Sequence, residues 1–97
     1  MGSRVKAIEK VVKTEIREKD GATYKYELIL KESERFASYK IPLYSVSIEM
    51  NLFGSTTRAR SRELFSDAEE AIIFFDRLVE NLATPLNLRY IVEDELN

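Results

Sequence analysis

The chain has 97 residues, 44% hydrophobic and 33% charged, which suits one globular domain rather than a disordered chain. It contains no cysteine and no histidine, and so excludes thiolate nucleophiles, disulfides, Cys/His zinc sites and imidazole acid–base chemistry. Its net charge of −2 hides an asymmetry, since residues 1–65 carry 13 Lys/Arg against 9 Asp/Glu while residues 66–97 carry 2 against 8.

A fold that separates these two segments has one basic and one acidic side. No apolar run approaches the length of a membrane span, and no signal-peptide core opens the chain. Lys6 breaks the myristoylation pattern that Met1-Gly2 would otherwise begin. A cytoplasmic location is therefore expected, by elimination. Two prolines and three glycines leave no room for a flexible linker, so residues 1–97 are read as a single domain. Residues 1–9 are read as either disordered or a vector-derived leader, with Gly2-Ser3 as the sign of the latter.

Residues 10–18, KVVKTEIRE, alternate with Val12, Thr14 and Ile16 on one side. Residues 23–31, TYKYELILK, alternate with Tyr24, Tyr26, Leu28 and Leu30 on one side. Lys19-Asp20-Gly21 between them reads as a three-residue hairpin loop with Gly21 in the left-handed region. That register pairs Glu18 with Ala22, Ile16 with Tyr24, Thr14 with Tyr26 and Val12 with Leu28, so every apolar residue shares a face. A two-residue Asp-Gly turn sets Ile16 opposite Lys25 and is rejected on that ground. A helical stripe of Val5, Ile8, Val12 and Ile16 competes, but the agreement of turn and register favours a strand.

Residues 32–40, ESERFASYK, are polar and irregular and read as a loop. IPLYSVSIEM over residues 41–50 alternates again, with Pro42 at the start, where its missing N–H does least harm. Gly54-Ser55 marks a turn, and TTRARSRELF over residues 56–65 predicts a fourth strand. Ser66 and Glu69 form an S-x-x-E capping box, with Asp67, Glu69 and Glu70 at the positive end of the helix dipole. Ala68, Ala71, Ile72, Phe75, Leu78, Val79 and Leu82 fall in one arc of that helix, its core face. Thr84 caps a second helix and Pro85 occupies its first turn. Leu88, Val92 and Leu96 form its inner stripe, with Ile91 beside it. The fold class is therefore α+β: a four-stranded antiparallel sheet, built from a β-hairpin and two further strands, followed by two C-terminal helices packed on one face.

Few residues suggest chemistry. Arg58, Arg60 and Arg62 alternate along the fourth strand and are candidates for binding an anion or nucleic acid, against the plainer reading of a solvated face paired with Glu. Glu93, Asp94 and Glu95 are consecutive, so a helix fans them about 100° apart, a poor geometry for chelation. Ile73 lies outside the core arc of the first helix, and Leu86 and Tyr90 lie outside the stripe of the second. If neighbours, these three make a patch for a partner or a second copy. There is no P-loop, dinucleotide fingerprint or nucleophile elbow, and neither catalytic residues nor a metal or other cofactor is expected.

Tyr44 leading into SVSIEM, then LFSDAEEA, then LATPLNLRYIVEDEL together resemble a family of short proteins from clostridia-like Gram-positive bacteria, classed as a domain of unknown function. The resemblance covers roughly residues 24–96. It departs at Ser45, where Gly is expected, at Phe65, where Ile is usual, and at Glu95, where an aromatic is usual. It implies a small bacterial cytoplasmic protein and transfers no site residue. The expected function is a non-enzymatic protein-interaction or regulatory module, with homodimerisation as one form of it, acting through Ile73, Leu86 and Tyr90 beside the acidic helical end. The alternative is a nucleic-acid or anion-binding module using Arg58, Arg60 and Arg62.

Overall fold

Six elements follow one another along the chain: β1 (Ala7–Lys19), β2 (Ala22–Phe36), β3 (Tyr39–Leu52), β4 (Ser55–Arg60), α1 (Ala68–Glu80) and α2 (Pro85–Leu96). The computed structural model describes residues 7–36 and 39–96. The strands form one antiparallel sheet in the order β1-β2-β3-β4, each hydrogen-bonded to the next along the chain. Both helices pack on one face, so the α+β arrangement expected from the pattern is the observed one. Of the leader, residues 7–9 already belong to β1, and residues 1–6 lie outside the described residues.

The first hairpin departs from expectation. Lys19 pairs with Ala22, Arg17 with Tyr24, Ile16 with Lys25 and Glu15 with Tyr26. The turn is thus the two-residue Asp20-Gly21, with φ of 52° and 83°. Two successive positive φ values give a type I′ turn, whose twist matches that of the flanking strands. This local preference overrides the facing of apolar residues, and Ile16 is left 56% exposed on the uncovered face. Near Val12 a β-bulge shifts the phase, so that Val11 pairs with Ile29 and Lys13 with Leu28.

The expected loop at residues 32–40 is mostly strand. The β2–β3 ladder continues through Ser33–Ile41 and Glu34–Lys40 to Phe36–Tyr39, with an irregularity between Glu34 and Phe36. Polar residues hide the two-residue period there, but the backbone ladder does not need it. Residues 37 and 38 lie outside the described residues. The β3–β4 turn is Phe53-Gly54, one residue earlier than expected, with φ of 51° and 84° and Leu52 paired with Ser55. It repeats the geometry of the first turn, with Phe53 where Asp20 stands.

One face of the sheet supplies Tyr26, Leu28, Val46 and Ile48 to the core. Onto them pack Ala71, Phe74, Phe75, Leu78 and Val79 of α1 and Leu88 and Val92 of α2. Each large apolar side chain so buried contributes about 1.5–3 kcal/mol. The inner arc of α1 is rotated from the expected one: Phe74 is buried, while Ala68 and Ile72 are exposed. Phe74 meets Phe65 in a tilted pair, ring centres 5.4 Å apart, a contact that helical periodicity alone does not reveal. On α2, Leu88 and Val92 are buried as expected, but Leu96 is exposed at the last turn.

The caps explain where the helices begin and end. Asp67, not Ser66, is the N-cap of α1, its carboxylate accepting from the Glu70 N–H at 2.9 Å. The cap is moved by one residue from the expected box, and a charged cap suits the dipole better. At the other end Leu82 adopts φ of 49°, its N–H donating to Val79 and that of Ala83 to Leu78, the paired bonds of a Schellman turn. Leu82 therefore lies beyond α1 rather than on its core arc. Thr84 and Asn87 then cap α2 reciprocally: the Asn87 N–H donates to Thr84 Oγ1 at 3.3 Å, and the Thr84 N–H to Asn87 Oδ1 at 2.8 Å. Pro85 follows in the first turn, where expected.

The link between the helices is fastened from below. The Tyr26 hydroxyl, fully buried, donates to the Ala83 carbonyl at 2.8 Å. Burial, assisted by neighbouring Tyr24, pushes its pKa up to about 12. Tyr26→Phe leaves that carbonyl unpaired and is expected to lower stability by about 1–2 kcal/mol at neutral pH, read by chemical denaturation. The folded state holds this proton more tightly than the unfolded one, so its stabilisation is complete below the ordinary tyrosine value of 10.0 and is lost as pH rises toward 12. The gap between wild type and variant should narrow over that interval, by up to about 1.4 kcal/mol per pH unit. Phe53 sits in the left-handed region, which asparagine tolerates better than a bulky aromatic residue, so Phe53→Asn is expected to raise stability by about 0.5–1 kcal/mol, seen as a higher melting temperature.

Candidate functional site

Arg58 and Arg60 project from the uncovered face of the sheet, paired across the ladder with Glu49 and Ser47. Arg58 Nε lies 2.8 Å from Glu49 Oε1. Arg60 makes two bonds to Glu9, at 3.2 and 2.8 Å, and a third to Ser45 Oγ at 3.4 Å. Its side chain thus reaches from β4 over β3 toward β1; on the same face Ile29, paired with Ser45, is buried although no helix covers it. The Arg60 hydrogen bond and charge hold the Glu9 carboxyl below its usual pKa. Glu63 is likewise lowered, first by its own backbone N–H and then by Lys31, 3.3 Å away. These arginines are engaged rather than offered.

Arg62 does not join the row. The ladder ends at Arg60, and Ser61 turns inward: the Val46 N–H donates to Ser61 Oγ at 3.0 Å, and that hydroxyl donates to the Arg62 carbonyl at 2.8 Å. Pairing resumes only at the Tyr44–Phe65 bridge. The segment between is an excursion, so a sequence-perfect R-x-R-x-R alternation does not survive as one face. Among the described residues Arg62 has no carboxylate within salt-bridge distance, nor has Arg89 on α2. Both line a cleft of about 410 Å³ between the end of β4 and α2, floored by Ala59, Pro85, Leu88 and Val92. Arg89 was not singled out in the sequence; its lone position on an acidic helix was the available signal.

The helical layer has its own depression. Because α1 lies over β2 and β3 while α2 lies over β3 and β4, a furrow of about 280 Å³ separates them, lined by Phe74, Arg77, Leu78, Asn81 and Ile91. A salt bridge of 2.7 Å from Arg77 to Glu95 spans it, and the Arg77 guanidinium also lies over the Phe74 ring. Leu86 and Tyr90, 75% and 64% exposed, stand one turn apart on the outer side of α2. Ile73, 54% exposed, borders a separate hollow with Phe65, Glu70, Arg77 and Glu95. The three apolar candidates therefore form no continuous patch, and none of them lines the furrow itself. Glu93 and Glu95 diverge, the first to the cleft and the second to the hollow beside Ile73, and no group of three or more metal-ligating side chains occurs among the described residues.

Among the described residues no strand pairs with the outer edge of β1, which bears exposed Ile8, Val11, Val12 and Ile16. Two features oppose its pairing with another chain, the bulge near Val12 and the turning of Lys13 toward the helices. Lys13 Nζ sits 2.8 Å from Asp76 and above the Phe75 ring.

A meandering four-stranded sheet covered on one side by a helical hairpin, with a cleft on each flank of α2, defines a small α+β domain. The chain belongs to the family of unknown function DUF6514, whose model matches residues 5–97. No curated protein and no solved structure matches it. Among the described residues no helix is long and apolar enough to cross a membrane.

Replacing the inward lysine tests the protection of the edge. Lys13→Val is expected to give concentration-dependent masses above those of wild type in sedimentation equilibrium, whereas Lys10→Val, which leaves that device intact, should match wild type.

Proposed function

We propose that this chain is a non-enzymatic protein-interaction or regulatory module that docks a partner, or a second copy of itself, on its helical layer. The furrow between α1 and α2 carries the reading. Its floor of Phe74, Leu78 and Ile91 is apolar, and Ile73, Leu86 and Tyr90 are exposed on the outer surfaces of the same two helices. An amphipathic helix recognises such a trough through apolar residues spaced one turn apart. Glu93, Asp94 and Glu95 at the end of α2 add charge that favours a basic partner. A small bacterial cytoplasmic protein is the setting that this reading supposes. The Arg58/Arg60/Arg62 surface for nucleic acid is the weaker reading, since Glu49 and Glu9 neutralise the first two arginines.

Light scattering on wild type, Ile73→Glu and Leu86→Glu/Tyr90→Glu tests it, together with affinity capture from the native host. A dimer mass, or a captured protein, should be lost in the variants while their melting temperatures hold. A monomeric wild type removes self-association. Equal capture by wild type and both variants removes the docking surface itself.

A further inference from the structure

The cleft on the opposite flank of α2 has a different character from the furrow. Its floor, formed by Ala59, Pro85, Leu88 and Val92, is apolar, and the polar residues lining it are Arg60, Ser61, Arg62, Arg89 and Glu93. Arg60 is held by Glu9 and Ser45, and the Ser61 hydroxyl is occupied by the strand end. That leaves two guanidinium groups without a carboxylate partner against one carboxylate, that of Glu93. Among the described residues Arg62 and Arg89 share this cleft and neither has a salt bridge. The volume of about 410 Å³ falls within the roughly 300–1,000 Å³ of small-molecule sites. Pro85, the first residue of α2, also lines it, so the positive end of the helix dipole adds to the same sign of potential.

We propose that this cleft binds a small amphipathic anion, its carboxylate or phosphate head held between Arg62 and Arg89 and its apolar body lying on Ala59, Leu88 and Val92. The planar guanidinium presents paired donors that match either head group. The apolar floor then selects against bare inorganic anions, and the charge selects against neutral molecules of the same shape. Glu93 lies four residues after Arg89 on the same helix and is the internal competitor for it. The site is separate from the furrow between the helices, and its failure leaves the interaction reading standing.

The test is a ¹H–¹⁵N NMR titration of the whole chain with phenylbutyrate and phenyl phosphate, with phenylbutanol and inorganic phosphate as controls. Saturable shifts are expected for the amides of Ala59–Arg62 and Leu86–Glu93 with at least one organic anion, and the tighter of the two identifies the head group. Arg62→Gln and Arg89→Gln should each weaken binding about tenfold, and Glu93→Gln should tighten it. Both arginines are exposed, and the dispersion of the same spectra verifies the fold of each variant. The proposal is overturned by the absence of saturable shifts with both organic anions, by shifts elsewhere, or by equal affinity for phenylbutanol and in the glutamine variants.

Discussion

The hydrogen bond from Tyr26 to the Ala83 carbonyl is the constraint on which the placement of the helices depends. A tight link of a few residues between two helices leaves backbone carbonyls that no helix satisfies, and here the link is itself buried. Ala83 is almost wholly out of solvent, so its carbonyl needs a partner from the protein. Tyr26 supplies it from the middle of the sheet, and in doing so fixes where α1 must stop and α2 must start. The Schellman bonds of Leu82 and Ala83 on one side, and the Thr84–Asn87 cap on the other, close around that one point. Tyrosine suits the task because its ring fills core volume while its hydroxyl reaches the far layer.

Both flanking grooves follow from this arrangement. With the link pinned above β2, α1 runs over β2 and β3, and α2 continues over β3 and β4. The helices are then seated on the sheet rather than on each other, and a furrow opens between them. On its other flank α2 overhangs β4, a strand of 6 residues that ends just where α2 would need further support. The cleft lined by Arg62 and Arg89 occupies that space. One fastening thus generates two depressions of different chemistry, one apolar and spanned by a salt bridge, the other apolar below and cationic at the rim.

Much of the fold was legible because the relevant signals are local. Alternation marked the four strands, and Thr84-Pro85 marked the start of α2 without ambiguity. Where reading failed, a competing local preference or a tertiary contact decided. The Asp20-Gly21 turn imposed its own register and so put Ile16 on the uncovered face, and the bulge near Val12 put Val11 there as well. Phe74 replaced Ile72 in the core because Phe65, reached only through the return of the chain to Tyr44, was waiting for it. Leu82 left its helix to make a left-handed turn that the sequence marks with no glycine. The site was less legible than the fold. Charge spacing identified arginines, but pairing across the sheet depends on Glu9, some fifty residues away in sequence, and no local pattern reveals that.

The uncovered face of the sheet shows what becomes of the basic excess in residues 1–65. A side of the molecule with no helical cover would expose Ile29 and the Ser45 hydroxyl at its centre. Arg60 reaches across this face, its head bonding Ser45 and Glu9. Lys31–Glu63, Arg58–Glu49 and Lys25–Glu27 surround it. Each exposed pair contributes little to stability. Together they cover a face that otherwise has only side chains to shield it, and they leave its cations without long-range reach. A ligand that seeks positive charge therefore meets little of it where the sequence shows most. It meets more at Arg62 and Arg89, where a break in a strand and a single basic residue on an acidic helix come together.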